Sequence, residues 1–166
     1  MVAILIRWLI FLHVLSALTF FLAHGSSAAM ILKVRNEKDI ARIRAMLDMS
    51  ESTLEVMFIS FLIMGLTGLA LPFLIHIWDK GWIWYSIVLM VFVFIWMVWS
   101  SERTYKVLRK LVGLPYRQGS KEYPAEPPAD AEKIVSHLKN IKVMPILVVG
   151  YGIPAIVLWL MVFKPF

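Results

Sequence analysis

Four stretches of this chain run for 18 to 25 residues almost without formal charge: residues 8–32, 54–78, 82–99 and 143–163, with Glu55 near the edge of the second the one charged residue among them. About 20 apolar residues in helical form cross the hydrocarbon of a bilayer. Backbone in lipid must also satisfy its own hydrogen bonds, so each run is predicted to be a transmembrane helix. The expected fold class is all-α: a polytopic membrane protein, one domain over residues 1–166, with four helices in an antiparallel bundle. Composition agrees, because 60% hydrophobic and 17% charged residues lie outside the range of soluble domains. Basic residues mostly follow the first run, with Arg7 alone before it, the reverse of a secretory leader's bias, so it is read as a retained span.

Short loops rich in Lys and Arg stay in the cytoplasm. Residues 33–55 hold five such residues and residues 100–142 hold nine, leaving only Arg7, Lys80 and Lys164 for the other side. Fourteen against three predicts a cell-membrane protein with both termini outside and both long loops cytoplasmic. Tryptophan supports this: Trp8, Trp78, Trp82 and Trp84 would mark the outer interface, Trp96 and Trp99 the inner one. The cytoplasmic Lys/Arg clusters are expected to meet anionic lipids. Despite a net charge of +6, no basic stripe is interleaved with exposed aromatics on a soluble fold, so nucleic acid is not expected as a partner.

Between the second and third runs only Asp79, Lys80 and Gly81 intervene, which predicts a tight hairpin of neighbouring helices. Ile40, Ile43 and Leu47 share one face of a segment near 39–48, and Ile134, Leu138 and Ile141 one face of a segment near 130–142; both are predicted to be amphipathic cytoplasmic helices. Ser52 with Glu55 reads as a capping box opening the second span. Residues 113–128, GLPYRQGSKEYPAEPP, read as an irregular linker. Gly150, Tyr151, Gly152, Ile153 and Pro154 predict a kink in the fourth span.

Within the first span, FLHVLSALTFFLAHGSSAAM places His13 and His24 eleven residues apart, close to three helical turns, with Ser16, Ala17, Phe20, Ser27 and Ala28 on the same seam. Polar side chains in lipid are costly and face inward towards a partner. His13 lies five residues inside Trp8 and His76 two inside Trp78, so these two are the candidate axial pair for a b-type haem, with Ser16, Ala17 and Phe20 lining its slot. His24 is a secondary candidate, with His137 as its possible partner. The competing expectation is that these histidines only hydrogen-bond between helices.

The opening segment, followed by ILKVRNEKDIARIRAMLDMSESTL and later by GWIW at the start of the third span, resembles an uncharacterised family of four-helix bacterial integral membrane proteins. That family is distantly similar to the copper-resistance protein D group and the J-type protoporphyrinogen oxidases. The resemblance covers about residues 5–110. It implies a haem-capable scaffold, with His13 matching the first-helix haem b histidine of the oxidases. Their lysine early in the third helix has no counterpart at Trp84, Tyr85 and Ser86, so oxidase activity is not implied.

Three functional expectations follow: a haem b module for membrane redox or haem chemistry, a non-catalytic accessory subunit of a larger membrane complex, and copper handling. The copper expectation rests on thioether pairs two turns apart, Met57 with Met64 and Met90 with Met97. Absence of cysteine removes disulfides, iron–sulfur clusters and thiolate metal sites. Spans so poor in ionisable groups argue against a proton-coupled transporter. No phosphate-binding glycine loop, HExxH or GxSxG occurs.

Overall fold

The computed structural model describes residues 1–119 and 121–166. It is built from helices α1 (Val2–Val34), α2 (Ile40–Ile75), α3 (Gly81–Leu111), α4 (Ala131–Lys139), α5 (Val143–Leu147) and α6 (Ile153–Phe163), with a two-stranded antiparallel sheet of β1 (Tyr116–Gln118) and β2 (Lys121–Tyr123). Four helical stretches are long and apolar enough to cross a membrane: α1, α2, α3, and the run Val143–Phe163 that contains α5 and α6.

The expected separate helix over 39–48, with a new start at Ser52, does not form. α2 is one continuous helix from Ile40, capped by Asp39, whose carboxylate accepts the Ala41 N–H at 2.9 Å. The polar run at 48–53 looked like a break, yet it contains neither Gly nor Pro. The Ser52 and Thr53 hydroxyls donate back to the Met49 and Ser50 carbonyls at 2.7 Å each, which keeps both inside the helix. The third span likewise continues past Trp99 to Leu111.

Residues 113–128 also differ from the expected irregular linker. Tyr116 stands opposite Tyr123 in a short hairpin, their rings stacked at 5.3 Å, and Gly119 takes a left-handed φ of +59° beside the turn. Aromatic residues facing each other across two strands supply a pairing contact that Gly and Pro content alone does not reveal.

The predicted kink in the fourth span is a π-helical turn at Val148–Gly152, with the Ile153 N–H bonded five residues back to the Val148 carbonyl. Pro154 has no N–H to offer the Gly150 carbonyl, and the wider turn absorbs that loss.

Packing divides into three clusters. One joins Ile31 and Val34 of α1, Ile43 and Leu47 of α2, and Leu108 and Val112 of α3 to Ile134 and Leu138 of α4. It sits at the end of the molecule that carries most of the Lys and Arg, called here the basic end. A second, around Phe20, Ala23 and Met57, lies midway, and a third, around Trp82, Ile83 and Leu160, lies by the turn between α2 and α3. The apolar helices between these clusters keep most of their surface outward. That surface suits lipid, which is as apolar as the side chains it meets.

Candidate functional site

The inward seam of α1 is the one read from the sequence: Ser16, Phe20, Ala23, His24, Ser27 and Ala28 are all buried. α1 packs chiefly along α2, and the polar contacts fix their register. His13 meets Met64 and Thr67, Phe20 meets Phe61, and Ser27 meets Ser50.

His13 is held by α2. Its Nδ1 lies 2.9 Å from the Met64 carbonyl and 3.2 Å from the Thr67 hydroxyl. The carbonyl can only accept, so Nδ1 carries the proton and Nε2 is left as the acceptor. The ring is packed so close to Gly68 that a methyl there would stand 2.9 Å from Cε1. His76 occupies a different setting. It ends α2 in the left-handed conformation at φ 53° and is exposed, with its backbone N–H donated to the Pro72 carbonyl. Among the described residues no hydrogen bond or ring contact joins His13 to His76. The two rings are thus held apart in character, His13 against α2 and His76 exposed at that helix's end. Ser16 donates to the Leu12 carbonyl at 2.7 Å, and Ala17 is half-buried beside it. Phe20 fills the seam at 2% exposure.

His24 makes the less expected arrangement. It stacks parallel on Phe20 at 5.9 Å and tilts against Tyr151 at 5.5 Å. Its Nε2 is buried without a hydrogen-bond partner and lies over Gly150 in the π-helical turn. Reciprocally, the Tyr151 hydroxyl passes close over Gly25. Two glycines on facing helices thus each receive the neighbour's ring. The spacing along α1 finds His24; its partner Gly150 is signalled only by the Gly-Tyr-Gly-Ile-Pro sequence of the fourth span.

One turn further along, Ser27, Ser50 and Tyr105 form a closed polar group. Tyr105 donates to the Ser27 carbonyl at 2.7 Å, while the Ser27 hydroxyl lies 2.9 Å from the Tyr105 oxygen and 2.7 Å from that of Ser50. One placement of three protons satisfies every contact. Sequence reading missed Tyr105, although a Tyr less than two turns past the end of the third apolar run at Trp99 is a side chain that buries its ring and seeks a partner for its hydroxyl.

At the basic end, Arg109 is 8% exposed and ties three segments together. Its guanidinium lies 3.0 Å from Asp48 and 2.7 Å from Glu51 on α2, and its Nε donates to the Pro115 carbonyl at 2.8 Å. Asp48 and Glu51, three residues apart, project from one face of α2 to reach it. Beside this knot a cleft of about 90 Å³ opens between α2 and α3. The hairpin is fastened nearby through Glu126, which accepts from Tyr116 at 2.7 Å and pairs with Lys110 at 3.2 Å. The Tyr116 hydroxyl and Lys110 hold the Glu126 carboxyl below the usual carboxylate range.

His137 lies half-buried on α4, and no hydrogen bond or ring contact joins it to His24 among the described residues. Its Nε2 is buried without a partner, and burial pushes its imidazole below the ordinary histidine range. Of the thioethers, Met57, Met90 and Met97 pack into the cluster around Phe20 and Ala23. Among the described residues no three His, Asp or Glu side chains gather as a metal centre would require. Against protein-family models, curated proteins and solved structures, this chain finds no match.

Proposed function

We propose that this chain is an integral protein of a cell membrane and a non-catalytic accessory subunit of a larger membrane assembly. Its four helices form an antiparallel bundle, with both termini outside and the basic end in the cytoplasm. There α4, with Ile134 and Leu138 inward and Glu132, Lys133 and Lys139 outward, lies as an amphipathic helix along the surface. The first turns of α2 present a second amphipathic face, and the Lys/Arg clusters meet anionic lipids.

One observation carries the accessory reading. Apart from His24, which packs between rings, the polar side chains of the α1–α2 seam are spent within the protein: His13 on Met64 and Thr67, Ser60 on Val56, Thr67 on Ile63, Ser27 and Ser50 on each other. A seam filled this way glues helices together and offers no slot to a flat cofactor.

A second reading, a haem b carried by His13 alone, is favoured by one feature. A ligating histidine commonly donates its other ring N–H to a carbonyl, and His13 does so to Met64. Bound there, haem would supply one-electron chemistry; Nε2 of His13 would hold the iron while Met64 fixes the ring. Copper handling draws support only from the three clustered thioethers.

Native electrophoresis of gently solubilised membranes, with an absorption spectrum of the purified chain, separates the readings. The accessory reading expects a colourless chain migrating in one defined complex well above its own 19.1 kDa. A monomer with a Soret band that His13→Ala abolishes would replace it with the haem reading. Orientation is tested separately in this cysteine-free chain. An impermeant maleimide should label Lys80→Cys in intact cells, but Lys38→Cys and Lys133→Cys only after permeabilisation.

A further inference from the structure

We propose that His24 and the π-helical turn of the fourth span form a proton-operated latch: the neutral imidazole holds α1 against Gly150, and its protonation releases the two. The latch goes beyond the accessory reading. It rests only on the packing of α1 against Val148–Gly152 and stands whichever way the chain is oriented.

The seat of the ring is the first argument. His24 is 7% exposed, stacked on Phe20 and tilted against Tyr151, and its buried Nε2 faces Gly150 without a polar partner. A neutral imidazole tolerates this seat: with the proton on Nδ1, Nε2 is a lone pair set against a Cα–H. An imidazolium carries N–H on both nitrogens. Nε2–H would then point into the Gly150 backbone with no acceptor, a buried charge without a partner.

No neighbour offsets that charge. On α1 the ring meets Phe20, whose π face attracts a cation only weakly. On the fourth span it meets Tyr151, a phenol that stays neutral below a pH of about 10. α2 contributes Met57, Phe61 and Ser50 at this level, and α3 contributes Tyr105, bonded to Ser27. None is a carboxylate. The acids of this end are taken elsewhere, Asp48 and Glu51 by Arg109 and Glu102 by Lys106, while Glu55 is exposed.

The helix beneath the ring is the second argument, because it has another setting. The Ile153 N–H is donated to the Val148 carbonyl, and Pro154 has none to give, so the Val149 carbonyl has neither of its helical donors. Returning Ile153 to Val149, its α-helical partner, repairs that loss. A π turn holds one residue more than an α turn, so the change rotates one half of the span against the other and takes Gly150 from beneath the ring. A methyl placed on Gly152 would meet nothing within 4 Å, so no side chain blocks the motion there.

Access is the third. The cleft between α2 and α3 reaches Ser50 and Tyr105. Both are hydrogen-bonded to Ser27, which lies three residues from His24 on the buried face of α1. Water at the basic end thus comes within one helical turn of the ring.

Hydrogen exchange of the full chain in detergent micelles, read by mass spectrometry on residues 148–158, tests the latch against His24→Gln, which holds no titrating proton. The ratio of wild-type to variant exchange should rise about tenfold between pH of about 8 and about 5, the histidine range, for a tenfold preference of the proton for the released state. Comparing the two proteins at each pH cancels the intrinsic pH dependence of exchange and any effect of His137. A constant ratio would overturn the latch. Nuclear magnetic resonance of the wild type with labelled histidine and glycine keeps the test independent of the variant's folding. The His24 ring nitrogens and the Gly150 and Gly152 amides should shift with one midpoint. Rings that titrate while both glycines stay fixed, or a His24 that stays neutral down to pH of about 5, would overturn it equally.

Discussion

The imidazole of His24 lies over Gly150 so closely that a methyl group at position 150 would stand 2.5 Å from Nε2. Nothing flexible lies between them, since His24 is clamped on its other sides by Phe20 and Tyr151. Gly150→Ala is therefore expected to destabilise the protein by about 1–3 kcal/mol, the usual cost of overpacking. Gly25→Ala should cost less, because it meets only the Tyr151 hydroxyl, at 3.2 Å. Gly65→Ala, with nothing within 4 Å, is the control. Thermal unfolding in detergent measures all three. A Gly150→Ala protein that melts with the Gly65→Ala control would show that α1 and the π-helical turn are not in contact.

His76 separates a helix cap from a cofactor ligand in one substitution. A non-glycine residue in the left-handed conformation costs about 1 kcal/mol, and glycine relieves it. His76→Gly is expected to raise the unfolding free energy by up to that amount and to leave the absorption spectrum unchanged. Loss of a Soret band on this substitution would show instead that His76 holds iron.

The four apolar stretches were legible because length and charge exclusion act within a single segment, independently of what lies beside it. The inward seam of α1 was legible for the same local reason, since helical periodicity alone puts Ser16, Phe20, His24 and Ser27 on one face. Contacts that require two segments to meet were not. Counting from the tryptophans put His13 and His76 within a few residues of one depth, yet His13 turns to the Met64 carbonyl, about three turns before the end of α2, and the His76 backbone ends that helix. The polar residues 48–53 suggested a helix boundary because their hydroxyls' return bonds to the helix, and the reach of Asp48 and Glu51 to Arg109, lie outside any one-dimensional pattern. Gly150 was read as a kink; that it also receives the His24 ring emerges only when α1 and the fourth span are side by side.

Arg109 is expected to be the most sensitive charged residue. Arg109→Lys keeps the charge but loses the planar fork that reaches Asp48, Glu51 and the Pro115 carbonyl together. Breaking a fully buried pair costs about 3–5 kcal/mol. With Asp48 55% and Glu51 34% exposed, solvent screens part of this, and about 2 kcal/mol is expected. The hairpin should loosen with it, because Pro115 leads directly into β1. Limited proteolysis at residues 116–123 should therefore accelerate along with the drop in melting temperature. Faster cleavage without a change in melting would mean that Arg109 anchors the hairpin alone.

Histidine 137 gives the stability of the basic end a pH dependence with a definite sign. Its ring is half-buried on α4, Nε2 has no partner, and burial favours the neutral form, so the folded state takes up a proton only at lower pH than the unfolded chain does. An unfolded histidine titrates near pH 6.5. Below that value the unfolded state binds more protons than the folded one, and stability falls as pH falls, the loss being complete below the folded-state value. Above pH of about 6.5 both states are neutral at this position and no dependence arises. His137→Phe keeps an aromatic ring against the same neighbours and removes the proton. The difference in melting temperature between wild type and variant is therefore expected to change between pH of about 8 and about 5, with wild type losing more on acidification. Parallel losses in both proteins would show that the His137 ring is open to water and that α4 lies less tightly against Ile134 and Leu138's partners on the other helices.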